Sequence, residues 1–259
     1  MTTRAPALFV GHGSPTNAIE DTPSARGWVE VAQRFPKPKA IVCISAHWVT
    51  EGVKVTSNAQ PRTIHDFGRG FPQALFDVQY PAPGDPDLAR AIVDRLAAFS
   101  AQLDDSWGLD HGAWSVVKHM YPDADVPIVQ VSLDIRRSAA EHYDIARALA
   151  DFRDDNVLVI GSGNIVHNLP AFFRATSPDP QHWVETYDAH IVTGVANDHA
   201  KVVNYTAQPD AGIAAPDWEH FMPVVYALGA QRDGETPYFF NRYYYPGISM
   251  TAFAYGLPQ

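Results

Sequence analysis

Short runs of apolar residues punctuate the chain, and each run is continuous rather than alternating with polar residues. Unbroken apolar runs are typical of strands that are covered on both faces, as in parallel or mixed α/β sheets. The runs that predict strands are residues 7–10, 40–45, 127–133 and 157–160.

Segments with apolar residues at helical spacing lie between and after these runs. In the clearest of them Leu88, Ile92 and Leu96 recur every four positions, with arginine and aspartate on the opposite face. Alternation of strands and helices predicts an α/β fold, a single domain with a central mixed or parallel sheet flanked by helices. The predicted helices cover residues 27–35, 86–99, 139–152 and 220–228.

Length and cysteine content restrict how such a fold is stabilised. A chain of 259 residues with 46% hydrophobic content lies at the upper edge of one domain and supplies a large core. We therefore expect one domain over residues 1–259. The single cysteine, Cys43, excludes an internal disulfide framework and a cysteine-rich zinc site, and its apolar surroundings predict a buried thiol.

Charge and hydropathy exclude some classes of partner. The formal net charge of -10 argues against nonspecific binding to nucleic acid or anionic lipid. The N-terminus carries no charged-then-apolar signal pattern, and no uncharged apolar stretch reaches the ~20 residues that span a bilayer. We therefore expect a cytoplasmic protein that binds neither nucleic acid nor membrane. The sequence does not distinguish a monomer from a homodimer.

Histidines follow three of the predicted strands. His12 comes directly after the first strand, His47 directly after the second, and His167 after the fourth through a predicted turn at residues 161–164. Ligands of an open α/β sheet bind beyond the carboxyl ends of its strands, so these three side chains can converge on one point. His220 begins a predicted helix after a long loop, which allows its side chain to return over the same edge.

Several histidines at one sheet edge favour a metal centre. Neutral imidazole is a ligand for zinc and for iron, and a metal site with open coordination positions is catalytic. The glycines on both sides of His12 let the backbone turn sharply and let a substrate approach. One such histidine alone is more often structural, whereas three at strand ends favour ligation. The residues by themselves therefore predict a metal-dependent enzyme.

His111 is a candidate for acid–base chemistry. It lies between Asp110 and Gly112, among large aromatic residues and just before a helical run. A histidine in an apolar pocket can act as a general acid or base, and the alternative is a histidine that only bonds to the backbone at a helix start. His65 lies in a loop rich in proline and glycine, residues 61–86, which suits a lid over the site.

Two other motifs are too incomplete to predict a function. The glycines around Ser162 follow a strand, as in a phosphate-binding loop, but they lack its Lys-Ser/Thr ending and its full glycine spacing. Ser14 follows Gly13 but does not lie in the Gly-x-Ser-x-Gly pattern of a nucleophile elbow.

Six motifs in a fixed order carry a resemblance to a known family. Taken together they resemble the class III extradiol ring-cleavage dioxygenases, and most closely the branch of bacterial and plant 4,5-DOPA extradiol dioxygenases. The resemblance spans residues 7 to about 255. The motifs are Gly11-His12-Gly13-Ser14-Pro15, Ser45-Ala46-His47-Trp48, Thr63-Ile64-His65-Asp66-Phe67, Asp110-His111-Gly112, Asn164-Ile165-Val166-His167-Asn168 and Glu219-His220-Phe221-Met222-Pro223.

The resemblance implies an activity and a role for each histidine. It implies an oxidoreductase with a nonhaem metal centre that cleaves a catechol ring next to its two hydroxyls, with O2 as co-substrate and a muconic semialdehyde as product. His12 and His47 would be metal ligands, His167 a ligand or a base, and His220 the residue that completes the metal site. His111 and His167 are the expected acid–base catalysts. The expected cofactor is one divalent metal per chain, Zn²⁺ or Fe²⁺, with Fe²⁺ required for turnover.

The residue at position 220 departs from the wider family. Its ring-cleaving members complete a site of two histidines and one carboxylate with a glutamate, whereas here Glu219 and His220 are adjacent. Only one of them can readily point at the metal, and we expect His220, because it matches the branch. An all-histidine site is less anionic and favours zinc. A zinc-dependent hydrolase and a non-enzymatic metal-binding protein on the same scaffold therefore remain alternatives.

Overall fold

The computed structural model describes residues 4–258. The strands are β1 (Ala7–Gly11), β2 (Ala40–Ser45), β3 (Val49–Thr50), β4 (Lys54–Thr56), β5 (Gln102–Asp104), β6 (Ile128–Gln130), β7 (Leu133–Asp134), β8 (Val157–Gly163), β9 (Tyr238–Phe240), β10 (Tyr244–Tyr245), β11 (Ile248–Ser249) and β12 (Ala252–Tyr255). The helices are α1 (Pro23–Ala32), α2 (Gln73–Phe76), α3 (Pro86–Arg95), α4 (His111–Met120), α5 (Ala139–Leu149), α6 (Leu169–Arg174), α7 (His182–Asn197), α8 (His199–Val203), α9 (Ala211–Ala214) and α10 (Trp218–Gly229).

A six-stranded mixed sheet forms the centre of the fold, in the order β6-β2-β8-β1-β12-β9. The strands β6, β2, β8 and β1 run parallel, whereas β12 and β9 are antiparallel to their neighbours. Helices pack on both faces of this sheet. The structure therefore confirms the predicted α/β domain with a central mixed sheet flanked by helices.

The central strands send alternate side chains to opposite faces of the sheet. In β8, Val157 and Val159 pack into one core cluster with α5 and α10, whereas Leu158 and Ile160 pack into a second cluster with α1 and α4. Both clusters are buried, which explains why the sequence shows an unbroken apolar run. Cys43 lies in the second cluster, fully buried as expected, and burial raises the pKa of its thiol.

The predicted strand over residues 127–133 is wrong in one respect, because it is two strands. Ile128–Gln130 joins the central sheet beside β2, whereas Leu133–Asp134 pairs with β3 in a separate small sheet. Between them the chain leaves the central sheet, since the backbone N–H of Ser132 donates to the carbonyl of Lys54 at 2.9 Å. An apolar run by itself does not reveal such a change of partner.

The helix boundaries also differ from the predicted ones. The helix predicted over residues 86–99 ends at Arg95 and continues as a separate 3₁₀ turn, and the helix predicted over 139–152 does the same after Leu149. The α1 helix begins at Pro23 rather than at residue 27, because the Thr22 hydroxyl caps it. Among residues 4–258, no helix is long and apolar enough to cross a membrane.

Because β8 pairs with both β1 and β2, these three strands end at the same level of the sheet. Gly11 of β1 pairs with Gly163 of β8, and Ser45 of β2 pairs with Ser162. The ladder continues one residue further, because the backbone N–H of His12 donates to the carbonyl of Gly163 at 3.0 Å. The segments that carry the predicted site residues therefore leave the sheet at the same edge.

The glycines of β8 belong to the strand and not to the predicted turn, and they allow helix α10 to approach closely. A Cβ atom at Gly161 would lie 2.1 Å from the carbonyl oxygen of Pro223, and one at Gly163 would lie 2.2 Å from that of His220. The backbone N–H of Asn164 donates to the same His220 carbonyl at 2.8 Å. The start of α10, and with it His220, is therefore held against the edge of the sheet.

We predict that Gly163→Ala lowers the free energy of unfolding by about 1–3 kcal/mol, because the added methyl group must push α10 away from β8. Urea unfolding followed by circular dichroism measures this change. The matched control is Gly212→Ala in α9, where a Cβ atom would meet no atom within 4 Å. Equal stability of the two variants would contradict the role assigned to the close approach.

Candidate metal centre

The structure brings all five predicted site histidines together at the carboxyl edge of β1, β2 and β8. The ring centroid of His12 lies 5.0 Å from that of His47, 5.5 Å from that of His111 and 5.6 Å from that of His220. The rings of His47 and His111 are 3.9 Å apart. The ring of His167 stacks on that of His220, with centroids 3.6 Å apart and an interplanar angle of 3°.

Three of these histidines offer nitrogens at a spacing that suits one metal ion. Ring nitrogens of His12, His47 and His220 all lie within 4.8 Å of one another. The Nε2 atoms of His12 and His47 are 3.1 Å apart, the separation expected for two bonds of about 2.0–2.1 Å that meet at about 100°. The donor set therefore fits a zinc or ferrous ion.

Burial keeps these imidazoles neutral. Burial, followed by the proximity of other histidines, lowers the pKa of His12 and of His220 well below the ordinary value. The pKa of His47 is lowered to about 3, first by burial and then by His111. A neutral imidazole has a lone pair on one nitrogen. At neutral pH no proton would have to leave these rings before a metal binds.

A buried hydroxyl selects the nitrogen that His12 presents. The Ser162 hydroxyl donates to the carbonyl of Gly112 at 2.5 Å, so it can only accept from His12 Nδ1, which lies 3.0 Å away. His12 therefore carries its proton on Nδ1, and its Nε2 lone pair faces the group. The serine of the Gly-Ser-Gly segment thus has a role that no phosphate-loop pattern predicts.

Of the two adjacent candidates at the start of α10, only His220 contributes to the three-nitrogen group. The Oε1 atom of Glu219 lies 3.5 Å from Nδ1 of His220, beside the ring rather than among the ligand nitrogens. Burial raises the pKa of Glu219. The geometry therefore favours His220 over Glu219 as the residue that completes the group.

His167 lies beside this group and not in it. Imidazole lone pairs lie in the ring plane, and the planes of His167 and His220 are parallel at a centroid distance of 3.6 Å. The lone pairs of the two rings therefore point along separate parallel planes, and His167 is not in the group of His12, His47 and His220. The Nδ1 atom of His167 is 3.6 Å from Oδ2 of Asp217. Burial lowers the pKa of His167, and Asp217 opposes that change.

His111 is the first residue of α4, and a carboxylate from the 61–86 loop contacts it. The Nδ1 atom of His111 donates to Oδ2 of Asp66 at 2.9 Å, and its backbone N–H donates to Oδ1 at 2.8 Å. Asp66 Oδ2 also lies 3.3 Å from Nδ1 of His47. Although burial raises the pKa of Asp66, hydrogen bonds and charge from His111 and His47 bring it below its ordinary value.

A second carboxylate fixes the start of α4. Asp110 caps the helix and is fully buried, where it accepts hydrogen bonds from the Ser45 hydroxyl at 2.6 Å and from Nε2 of Gln130 at 2.7 Å. Burial raises the pKa of Asp110. Since Ser45 ends β2, this network joins the helix that carries His111 to the strand that precedes His47.

The 61–86 loop packs over this edge of the sheet. The ring of Phe67 contacts the ring of His111 edge-on, with centroids 5.6 Å apart. His65 is not part of the histidine group, because its Nε2 bonds to the carbonyl of Val78 at 3.0 Å within the same loop. The indole of Trp114 in α4 also donates to the loop backbone. The loop is therefore anchored to α4.

Sequence reasoning assigned no role to three polar residues of the site, Asp66, Ser162 and Asp217. Asp66 stood inside a quoted motif, and Ser162 stood between two glycines at the end of a predicted strand. The sequence positions of Asp66 and Ser162 hinted at a role. They do not show which ring nitrogen each side chain contacts, because the histidines they contact lie 45 and 150 positions away along the chain.

Comparison with known proteins places the chain in a family. The family model described as the catalytic LigB subunit of aromatic ring-opening dioxygenase matches residues 6–256. A protein of Escherichia coli named 4,5-DOPA dioxygenase extradiol is 44% identical over 241 residues, which cover 91% of this chain and 88% of that protein. A protein of Beta vulgaris with the same name is 38% identical, with 86% and 85% covered.

A solved structure agrees with this assignment. The crystal structure of an uncharacterized protein from Escherichia coli K12 has a TM-score of 0.84 and 35% sequence identity, and the match covers 97% of this chain and 99% of that one. The resemblance inferred from the six ordered motifs is confirmed. The chain belongs to the family of the catalytic LigB subunit of aromatic ring-opening dioxygenases, and it is an extradiol ring-cleaving dioxygenase, an oxidoreductase.

Proposed function

We propose that this enzyme opens the ring of a catechol with a DOPA-like side chain, using O2 and one divalent metal, and releases a muconic semialdehyde. The observation that carries the proposal is the group of ring nitrogens of His12, His47 and His220, which lie within 4.8 Å of one another at the edge of the sheet. Relatives named 4,5-DOPA dioxygenase extradiol support the choice of substrate. In this proposal residues 1–259 act as one catalytic domain.

His12, His47 and His220 hold the metal in this proposal. Three protein ligands would leave coordination positions open, as a catalytic metal site requires. When bound, the metal lowers the pKa of the catechol hydroxyls and supplies the redox chemistry that O2 requires. We favour Fe²⁺ for turnover, because Zn²⁺ has no redox chemistry, although the same nitrogens suit either ion.

His111 and His167 move protons in this proposal. Since Nδ1 of His111 donates to Asp66, the lone pair of His111 lies on Nε2, where it can accept a proton from a catechol hydroxyl. His167 is stacked on His220, and its Nδ1 lies 3.6 Å from Oδ2 of Asp217. The stacking favours a proton-transfer role for His167 over the ligand role that the resemblance also allowed.

The remaining expectations about the enzyme's surroundings are also proposals. Its substrates are a small aromatic diol and O2, it binds neither nucleic acid nor membrane, and it acts in the cytoplasm as a monomer or a homodimer. The hydrolase and the non-enzymatic alternatives gain no support, because the matched family and the named relatives are dioxygenases.

We predict that the protein loaded with Fe²⁺ under anaerobic conditions turns over DOPA once oxygen is added. The expected result is a yellow muconic semialdehyde that absorbs in the visible range, formed with uptake of one O2 per catechol. An oxygen electrode and absorbance spectroscopy measure the two quantities together. Absence of product from every catechol tested, with iron verified in the protein, would contradict the proposal.

We predict that alanine variants of the proposed metal ligands lose metal, whereas alanine variants of the proposed proton-transfer histidines lose activity but keep the metal. His12→Ala, His47→Ala and His220→Ala should lose metal, because each removes one of three ligands. His111→Ala and His167→Ala should retain metal but lower kcat by about 10²–10⁴-fold, the range for loss of a general acid or base. Elemental analysis and steady-state kinetics measure these effects.

The control for that series is His190→Ala, which changes an exposed histidine of α7. It should keep the metal content and kcat of the wild-type protein. If His167→Ala lost its metal as completely as His12→Ala, the assignment of His167 to proton transfer rather than to metal binding would be wrong.

A further inference from the structure

Asp66 contacts two histidines of the site at once, although it comes from the 61–86 loop rather than from the sheet edge. Its Oδ2 atom lies 2.9 Å from Nδ1 of His111 and 3.3 Å from Nδ1 of His47. Its side chain is 14% exposed. The carboxylate therefore lies between a proposed proton-transfer residue and a proposed metal ligand.

The directions of these contacts determine where the His111 ring carries its proton. An ionised carboxylate can only accept hydrogen bonds, so Nδ1 of His111 is the protonated nitrogen and Nε2 has the lone pair. Nδ1 of His47 lies 3.3 Å from the same oxygen but outside hydrogen-bond geometry, and its Nε2 faces Nε2 of His12 at 3.1 Å. Without Asp66, the His111 ring would be free to carry its proton on Nε2, the atom that its role needs unprotonated.

The second oxygen of Asp66 fixes the carboxylate in place. Oδ1 accepts the backbone N–H of His111 at 2.8 Å. That N–H belongs to the first turn of α4, where backbone donors have no partner within the helix and a negative charge is favoured. One carboxylate thus satisfies the helix start and holds the His111 ring at a single orientation.

We propose that Asp66 is the positioning residue that sets the tautomer and orientation of His111. It prepares the nitrogen that accepts the catechol proton. The inference rests on the proposed function for the role of His111. Because Asp66 belongs to the loop over the site, the position of that loop is coupled to the orientation of the His111 ring.

A second metal ion is the competing explanation for the same three groups. His47, Asp66 and His111 also offer ligand atoms within 4.8 Å of one another. A neutral imidazole has one lone pair, so His47 could bind this ion together with the first only after losing its remaining proton. The hydrogen bond from the His111 backbone to Asp66 also needs no metal to explain it. The geometry therefore favours a carboxylate that accepts two hydrogen bonds from His111, one from its backbone and one from its ring, over a second metal ion.

The test is Asp66→Asn, with Asp66→Glu as the conservative variant and Asp77→Asn as the matched control. An asparagine can still accept from the His111 backbone, but its amide would donate toward the rings and favour a proton on Nε2. Asp77 lies in the same loop and is exposed, and among the described residues its side chain bonds only to Gln73.

The first readout is independent of activity. In the zinc-loaded protein with ¹⁵N-labelled histidine, the His111 ring should change from the Nδ1–H to the Nε2–H tautomer in Asp66→Asn. A His111→Asn variant assigns the signal. Asp66→Glu and Asp77→Asn should keep the wild-type tautomer, and every variant should bind as much metal per chain as the wild type when metal is saturating.

The second readout is the division of the effect between kcat and KM. In the iron-loaded enzyme, Asp66→Asn should lower kcat by about 10–100-fold with little change in KM for the catechol, as for loss of a residue that orients a catalytic group. Asp66→Glu should recover part of that loss. Asp77→Asn should match the wild type.

Two results would overturn the inference. One is a His111 tautomer and a kcat that Asp66→Asn leaves unchanged. The other is two metal ions in the wild type and one in Asp66→Asn, which would assign the carboxylate to a second metal. If Asp66→Asn does not fold, an Asp66→Glu variant that keeps the wild-type tautomer while its kcat falls as far as that of His111→Ala would also contradict it. A tautomer change in a protein that cleaves no catechol would instead contradict the proposed function alone.

Discussion

The parallel pairing of β8 with β1 on one side and β2 on the other is the constraint on which the site depends. Because Gly11 pairs with Gly163 and Ser45 with Ser162, the three strands end level with one another. The backbone ladder therefore places His12 and His47 close together before any side chain contributes. Helix α10 joins them because the β8 glycines leave no Cβ between strand and helix. The site is a consequence of backbone geometry.

Burial of several imidazoles at one edge would be costly if any of them were charged. That cost is avoided because burial lowers the pKa values of His12, His47 and His220, which keeps their rings neutral. Two of the rings are hydrogen-bonded at Nδ1, His12 to the Ser162 hydroxyl and His111 to Asp66. Carboxylates lie 3.3–3.6 Å from Nδ1 of the other three rings without hydrogen-bonding to them: Asp66 beside His47, Asp217 beside His167 and Glu219 beside His220.

For His12 and His111 these hydrogen bonds leave the lone pair on Nε2. Carboxylates at the outer nitrogen of metal-binding histidines orient the rings and raise their basicity. The same carboxylates offset the positive charge of a bound divalent ion. The proposed ligand His220 and the proposed proton-transfer residue His167 have parallel ring planes, and they differ in position because one ring is stacked on the other.

Much of this could be predicted from the sequence, because it depends on local patterns. Continuous apolar runs predicted the buried parallel strands, and histidines at their ends predicted the edge where the site lies. The role of Asp66 could not be predicted, because its motif shows a loop residue but not the two rings that it meets. The split of residues 127–133 and the extension of β8 to Gly163 also depend on distant partners, Lys54 and α10, that no local pattern reveals.

The most direct test of the account is the position of the metal in crystals of the iron- or zinc-loaded protein, measured by anomalous diffraction at the metal's absorption edge. The account predicts a single peak about 2.0–2.1 Å from one nitrogen each of His12, His47 and His220, with His167 outside bonding distance. A peak between His47, Asp66 and His111, or one bound by His167 in place of His220, would contradict it.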